Sequence, residues 1–533
     1  MDATAGASYG EAFLSPQSTE IMRKGGILPP GINGRGLLEA VRRAVEDTGS
    51  RYTSARSSRD LAARLVGHIE HGRCVLGTPA LTNIARGNRP VASCAAVPLI
   101  PDTDSVLPSL STSEEYYTQN MGSGYNLHRF SDPVRELLRL NEHAATVQNS
   151  DRCERYVGNM ALVGADHPRV HEFIDAKTAR SLPHFNISVD FSEPMIDGLA
   201  RQGTAADVLG HAAEAAWRCG DPGVLSLDRF NRSNALADQH PYLTTAPCAE
   251  VGLAEGDTCV FGYINLSAFL VGDSMTDYNW ELLADVVDTL ALSLDGLLDL
   301  GADRLPTKVS RDLTNLKRRI GICVCGFADL LLWLNIEYGT QESLDLLRSL
   351  LAFVQFTARA ASVRLAKERG PFPGFWLSRW RTGDLETAVE DSTMVAAADW
   401  TLLSEHIRTH GLRNAVSTAA PPSGRSSLLI GAFPSIEPPL ADPATVSLNT
   451  SLRRRVADMA AGHPVRRSAT EIPWQRHLAV VEVTNRHVDE GVSKTINLAT
   501  AATADDVLDI YRTALVRGLR AISVYRSGSR PPA

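Results

Sequence analysis

The sequence predicts an α/β chain. Three observations carry that expectation: segments with apolar residues at helical spacing that end on glycine, short runs that alternate like strands, and a closing helix that feeds directly into a strand. Residues Gly36 to Gly72 read as helical, because "LLEAVRRAVEDTG" and "RDLAARLVGHIEHG" each carry an apolar stripe and stop at glycine. Val75 to Pro101 reads as short strands and turns. "FNISVDF", Phe185 to Phe191, alternates like a half-buried strand. "AADVLGHAAEAAWRCG" is an amphipathic helix ending at Gly220. Helices dominate from Trp280 to Gly370. Two proline-rich loops follow, Ala419 to Gly424 and Phe433 to Pro443, with the glycine- and hydroxyl-rich turn "GRSSLLIGAF" between them. In the final unit Thr503 is the expected N-cap with Asp506 in the first turn, an aspartate version of the capping box. Val507, Tyr511, Ala514, Leu515 and Leu519 then repeat at helical spacing, and Ala521 to Tyr525 is a β-type run. Helix followed by strand is the grammar of a parallel unit. Ser527 to Ala533 reads as a frayed tail, and no internal repeat is visible.

Composition narrows the function classes. The chain has 533 residues, 44% hydrophobic and 21% charged, which is ordinary for a globular protein. Length alone suggests roughly three or four domains, although large α/β barrels break that rule. A net charge of −8 gives no footprint for a nucleic-acid polymer. Arg453, Arg454 and Arg455 read as a solvated helix face. The start, "MDATAGASYGEAF", lacks the basic-then-apolar pattern of a signal peptide. The most apolar run, Ile320 to Tyr338, holds Asp329, Glu337 and two glycines, so it reads as buried core rather than a membrane span. A cytoplasmic protein is expected, with its cysteines reduced unless they do redox work.

The eight cysteines form no metal pattern, since no C-x-x-C occurs. Cys323 and Cys325 lie inside the apolar run and read as packing. Cys74, Cys153 and Cys219 have no polar partner suggested by sequence. His68 with His71, and His167 with His171, have helical spacings but no accompanying zinc motif. The stretch "TTAPCAEVGLAEGDTCVFGYINLSAF", Thr244 to Phe269, stands apart: Cys248 has Glu250 two residues away and Cys259 follows shortly after. From the residues alone, these are either two small core residues or a reactive thiol site.

Several segments together resemble the ribonucleotide reductases, in the adenosylcobalamin-dependent class II. The clearest is "GVSKTINLATAATADDVLDIYRTALVRGLRAISVYRSGSR", Gly491 to Arg530. "RPVASCAAVPL", "MGSGYN", "DHPRVHEFIDAK", "FNISV", "GDPGVLSLDRFNR", the Thr244–Phe269 stretch, "RRIGICVCGFADLL" and "PPSGRSSLLIG" follow the family's order over most of the chain after about residue 70. The resemblance implies a ten-stranded α/β barrel of two five-stranded halves over residues 73–526. A central finger loop would lie at about 244–259, a small helical region would occupy residues 1–72, and a flexible tail residues 527–533.

It also implies a chemistry. Removing a ribose 2′-hydroxyl is hard because hydroxide leaves poorly, and a radical at C3′ eases its departure. By match to the family, Cys248 would become the thiyl radical and Glu250 would accept the 3′-hydroxyl proton. Cys94 and Cys259 would supply electrons and end as a disulfide. Adenosylcobalamin would be the radical source. Thr78 and Ser93 match substrate-contacting hydroxyls. Ser423, Gly424, Arg425, Ser426 and Ser427 match the phosphate loop, where a glycine-rich turn offers backbone N–H donors and Arg425 a planar fork. The implied partners are a ribonucleotide and an external thiol or thioredoxin-like reductant, with the chain a monomer or homodimer and neither nucleic acid polymer nor membrane involved.

Four departures from the family stand out. Its Asn-Pro-Cys-Gly-Glu is here Ala246-Pro247-Cys248-Ala249-Glu250, so the orienting amide is lost at Ala246 and a methyl is added at Ala249. The phosphate loop "PTGTIS" has become "PSGRSS". No cysteine follows Cys325, where the family ends in a recharging pair. The N-terminus is shorter than an ATP-cone regulatory domain requires. These departures leave two further readings beside a compact reductase. One is a specialised radical enzyme acting on a modified nucleotide in nucleoside natural product biosynthesis; the other is an inactive nucleotide-binding paralogue.

Overall fold

The computed structural model describes every residue except 1–8, 11, 88, 101–102, 157, 180, 202, 384, 386–393 and 530–533. The strands are β1 (Cys74–Leu76), β2 (Cys94–Ala96), β3 (Gly122–Asn126), β4 (Asn159–Gly164), β5 (Phe185–Asp190), β6 (Gly223–Leu225), β7 (Thr244–Thr245), β8 (Gly252–Leu253), β9 (Thr258–Cys259), β10 (Phe261–Asn265), β11 (Gly321–Cys325), β12 (Thr495–Leu498) and β13 (Ala521–Arg526). The main sheet runs β12-β13-β6-β5-β4-β3-β2-β9. Its centre, β2 to β6, is mutually parallel. At either flank the direction reverses, where β13 meets β6 and β9 meets β2. A three-stranded sheet, β1-β10-β11, lies alongside. Only Val260 separates β9 from β10, so one stretch of chain serves both sheets. Isolated bridges join Ile322 to Thr418 and Ala420 to Val492, both parallel.

Parallel strands covered on both faces need apolar side chains throughout, and β4 is buried at all six positions. Helices supply the cover. The helix Thr204–Cys219 packs against Ala504–Val516 and Val170–Ala179. Trp280–Leu298 packs against Gln341–Arg369 and Ala55–Glu70. Gln341–Arg369 is long and apolar enough to cross a membrane, but most of its apolar window is buried within the fold, as a core helix would be. The closing unit forms as the pattern suggests: Thr503 and Asp506 make the reciprocal capping box, and the named apolar residues are buried.

Residues 78–86 depart from expectation. They form a helix, not strands and turns, because Pro79 sits in the first turn, where its missing N–H costs nothing and its fixed φ suits the helix. Near the N-terminus, helices Pro16–Lys24, Gly34–Gly49 and Ala55–Glu70 are each capped by a side chain, from Ser15, Asn33 and Ser54. Of the expected frayed tail, Arg530 to Ala533 lie outside the described residues, as does most of the stretch read for a signal peptide.

The minor cysteine and histidine readings resolve simply. Cys323 and Cys325 are buried in β11. Cys153 and Cys219 do find backbone acceptors, at Tyr117 O (3.5 Å) and Asp221 O (3.3 Å). His68 and His171 pair with Asp285 and Asp207, both at 2.9 Å. Among the described residues no group of three metal-ligating side chains occurs. Arg453 and Arg454 are exposed, but Arg455 is half-buried and donates to Trp333 O.

Candidate active site

The segment Ala246–Val251 is the tip of a hairpin whose stem is two residue pairs long, Thr244 with Leu253 and Thr245 with Gly252. The Ala246 N–H donates to Val251 O, and the Ala249 N–H to Ala246 O, both at 2.9 Å. The turn requires φ +58° at Ala249. That is the left-handed region, where a methyl is strained and glycine is not. The hairpin passes close over β3. A Cβ on Gly124 would lie 2.2 Å from Thr245 O, and one on Gly122 would lie 2.8 Å from the Pro247 ring. The glycines of "MGSGYN" are therefore space for the hairpin. From β5, Asn186 Nδ2 donates to Pro247 O at 2.8 Å and pins the tip.

Cys94 on β2 and Cys259 on β9 are directly opposite across an antiparallel pair. Such partners have Cα atoms about 4.5–5.5 Å apart, inside the range a disulfide spans. Both thiols are free. A hydrogen bond with Cys259, and then burial, push the Cys94 thiol well above its usual range. Cys248 is exposed, but into a recess, and the surrounding protein pushes its thiol up as well. Glu250 opposes its ionisation, whereas Arg155 favours it. A site of protonated thiols suits hydrogen-atom exchange better than nucleophilic attack.

Glu250 is buried, 3% exposed. Burial raises its carboxyl to about 7, against hydrogen bonds from the backbone N–H groups of Glu250 and Cys248. Its Oε2 has no partner, and neither does the Oγ of buried Ser93. Unsatisfied buried oxygens are costly, and a polar ligand is one way to complete them. Ala246 is fully buried in the apolar core.

The hydroxyl loop packs against the start of the helix that carries Thr78. The Thr78 N–H donates to Ser426 Oγ at 3.1 Å, and Tyr263 Oη donates to Pro422 O at 3.1 Å. Ser426 and Ser427 open a short helix, Gly424–Leu429, with Gly424 at φ +33° and Arg425 exposed. Ser427 Oγ donates to Gly424 O at 3.0 Å. Ser423 is engaged elsewhere: its Oγ accepts from the Ser435 N–H, and its N–H donates to Ser435 Oγ, both at 2.7 Å.

Sequence comparison decides the family. The model for the ribonucleotide reductase barrel domain matches residues 197–456 and 460–525. The chain belongs to the ribonucleotide reductase barrel-domain family. Among its relatives is the vitamin B12-dependent ribonucleoside-diphosphate reductase of Mycobacterium tuberculosis, 29% identical over 558 aligned positions that cover 93% of this chain and 76% of the relative. The reductase of the same description from Thermoplasma acidophilum is 26% identical, over 86% of this chain and 64% of its own length. A vitamin B12-dependent ribonucleotide reductase of Streptomyces avermitilis is 21% identical, over 83% and 57%.

Within this reductase fold, a cavity of about 670 Å³ borders the hairpin tip, and Pro422 and Leu428, on either side of the hydroxyl loop, also line it. Pro247, Cys248 and Ala249 form part of its wall, with residues of β5, β6, β12 and β13. Of the four candidate catalytic residues, only Cys248 lines it. The wall is largely apolar, and Lys494 and Glu437 form an ion pair of 2.6 Å within it. Cys248 thus lines a broad hollow and is also close enough to Cys94 to disfavour its ionisation.

The structure also brings in residues that the sequence did not single out. Arg155 faces Cys94, Cys248 and Arg425, and burial lowers its affinity for its proton. Asn186 was legible only as one letter of "FNISV". Glu490 reaches the hairpin stem from the segment just before "GVSKTINL". Nothing in its local pattern marks it.

Proposed function

We propose that the chain is an adenosylcobalamin-dependent ribonucleotide reductase that replaces a ribose 2′-hydroxyl by hydrogen. One observation carries this reading: two free thiols face each other across adjacent strands, next to a third thiol and a buried carboxyl on one hairpin tip. Cys248, as a thiyl radical, would take the 3′-hydrogen, and Glu250 would take the 3′-hydroxyl proton. The 2′-oxygen leaves as water after accepting a proton from the thiol pair. Two electrons from Cys94 and Cys259 complete the C2′–H bond, Glu250 returns the 3′-hydroxyl proton, and Cys248 returns the 3′-hydrogen. The balance is one C–OH and two S–H groups giving one C–H, one water and one S–S bond.

Bound adenosylcobalamin would supply the initiating radical. The cavity supports such an assignment. Its wall is broad and apolar, and it reaches Cys248 but not the thiol pair. Val492, Ser493, Val524 and Tyr525 would hold it. The substrate would lie by the thiol pair, with Ser93 and Glu250 as partners for the ribose. Thr78 and residues Ser423 to Ser427 would lie by its phosphate, with the backbone and Arg425 as donors, because Ser423 Oγ is already used.

The parallel run β2–β6 supports the five-stranded half of a barrel. The segments β9–β10, β11, Thr418–Ala420, Val492–Leu498 and β13 support the other half. We place the barrel at residues 73–526, the helical region at 1–72, and the protein in the cytoplasm, in keeping with its free cysteines.

Incubation with adenosylcobalamin, a dithiol and each ribonucleoside mono-, di- and triphosphate, followed by mass spectrometry, tests the reading. A 2′-deoxy product lost in Cys248→Ser is expected. Ala246 supports a second reading, a radical enzyme on a modified nucleotide, because the amide that would orient the ribose is replaced by a packed methyl. A product retaining all its oxygens would favour that second reading. Absence of both turnover and cobalamin binding would favour an inactive paralogue.

A further inference from the structure

The segment 489–494 runs from the core into the cavity wall, and one of its residues reaches the root of the finger hairpin. The Glu490 carboxylate accepts hydrogen bonds from Tyr242 Oη (2.7 Å), the Gly252 N–H (3.1 Å) and Arg319 Nη2 (2.6 Å). Tyr242 precedes β7 and Gly252 opens β8, so a single carboxylate grips both strands. Arg319 Nη2 also donates to Gly252 O at 2.8 Å, and its guanidinium lies over the Tyr242 ring at 5.0 Å. All three side chains are buried. A stem of two residue pairs has little stability of its own, so its position has to come from such outside contacts. The next residue, Gly491, has no room for a Cβ, which would lie 2.9 Å from Ala249 O. The segment therefore touches the hairpin at both stem and tip.

The charges around this grip are balanced. Arg319 pairs with Glu490 and with Asp257 (3.2 Å), and Lys317 pairs with Asp257 (2.7 Å). Two cations meet two carboxylates, and Glu250 is a third carboxyl group beside them. The other titratable groups facing Glu250 are Cys248 on its own loop, Cys94 on β2, Tyr263 on β10 and Cys323 on β11. All four are neutral when protonated. Glu490 is the charged carboxylate that faces Glu250 among the described residues.

We propose that Glu490 is a positioning residue that splints both strands of the finger hairpin and holds the Glu250 carboxyl in place beside the thiols. Its negative charge also makes Glu250 hold its proton more firmly. The inference rests on the reading of Glu250 as the proton acceptor.

Two variants of the full chain test it, Glu490→Gln and Tyr242→Phe, assayed with adenosylcobalamin, a dithiol and nucleotide, and by hydrogen exchange. For Glu490→Gln, kcat should fall about tenfold with KM changed less than about twofold. The acidic limb of its pH profile should move to lower pH, and residues 246–251 should exchange faster. Tyr242→Phe keeps the charge, so it should speed exchange at the hairpin while leaving the acidic limb in place. A folded Glu490→Gln with an unmoved acidic limb and unchanged exchange overturns the proposal. If that variant does not fold, unchanged hairpin exchange in Tyr242→Phe overturns it. Should the parent protein turn over no nucleotide, the reading of Glu250 fails, and hydrogen exchange still decides whether Glu490 splints the hairpin.

Discussion

Cys94 and Cys259 occupy paired positions on β2 and β9, although 165 positions separate them in the chain. Oxidation of the folded protein should therefore join these two first. Peptide mapping after mild oxidation should find the Cys94–Cys259 link, and Cys94→Ser or Cys259→Ser should each remove both the link and turnover. A dominant link between any other pair would contradict the arrangement.

Glu250 has a second measurable consequence. Its carboxyl is raised to about 7 by burial, and in the proposed role of proton acceptor it works only when deprotonated. Turnover should rise with pH through about 7. For stability the sign is the reverse. The unfolded chain releases this proton near the ordinary carboxyl value, so folding is progressively penalised between there and about 7. Glu250→Gln should thus be inactive but more stable than the parent at pH 8, by about 1–3 kcal/mol. A chemical denaturation series at pH 5 and pH 8 measures the difference, which should be small at the lower pH.

Ala249 carries backbone strain that glycine would not. Ala249→Gly should stabilise the protein by about 1 kcal/mol, read as a higher denaturation midpoint. Ala246→Asn goes the other way. Its methyl is fully buried in the core, so an amide there should cost about 1–3 kcal/mol.

Asn186 links β5 to the hairpin tip through Pro247 O. Asn186→Ala should cost about 1 kcal/mol and speed hydrogen exchange at residues 246–250. Unchanged exchange there would show that the tip is held by its other contacts.

Much of this was legible in the sequence, for reasons that differ by residue. The capping box at Thr503 and the stripe after it are local signals, and local signals survive folding. Cys94, Cys248, Cys259 and Glu250 were singled out through motif resemblance, and the fold brings their two distant segments together. Arg155 and Glu490 were not found, because their significance lies in what they face rather than in their sequence neighbours. The helix at 78–86 was not legible because the prolines of the segment Val75 to Pro101 read as turn signals, whereas Pro79 sits in the first turn of a helix.

The pairing of β13 with β6 has a consequence for how the protein is made. Ala521 lies against Leu225, so β6 has no partner on that edge until nearly the whole chain has left the ribosome. An unpaired edge of a buried parallel sheet invites association with other nascent chains. Soluble production should therefore depend on chaperone supply and slow synthesis. Truncation before Ala521 should yield aggregates instead of a smaller working enzyme.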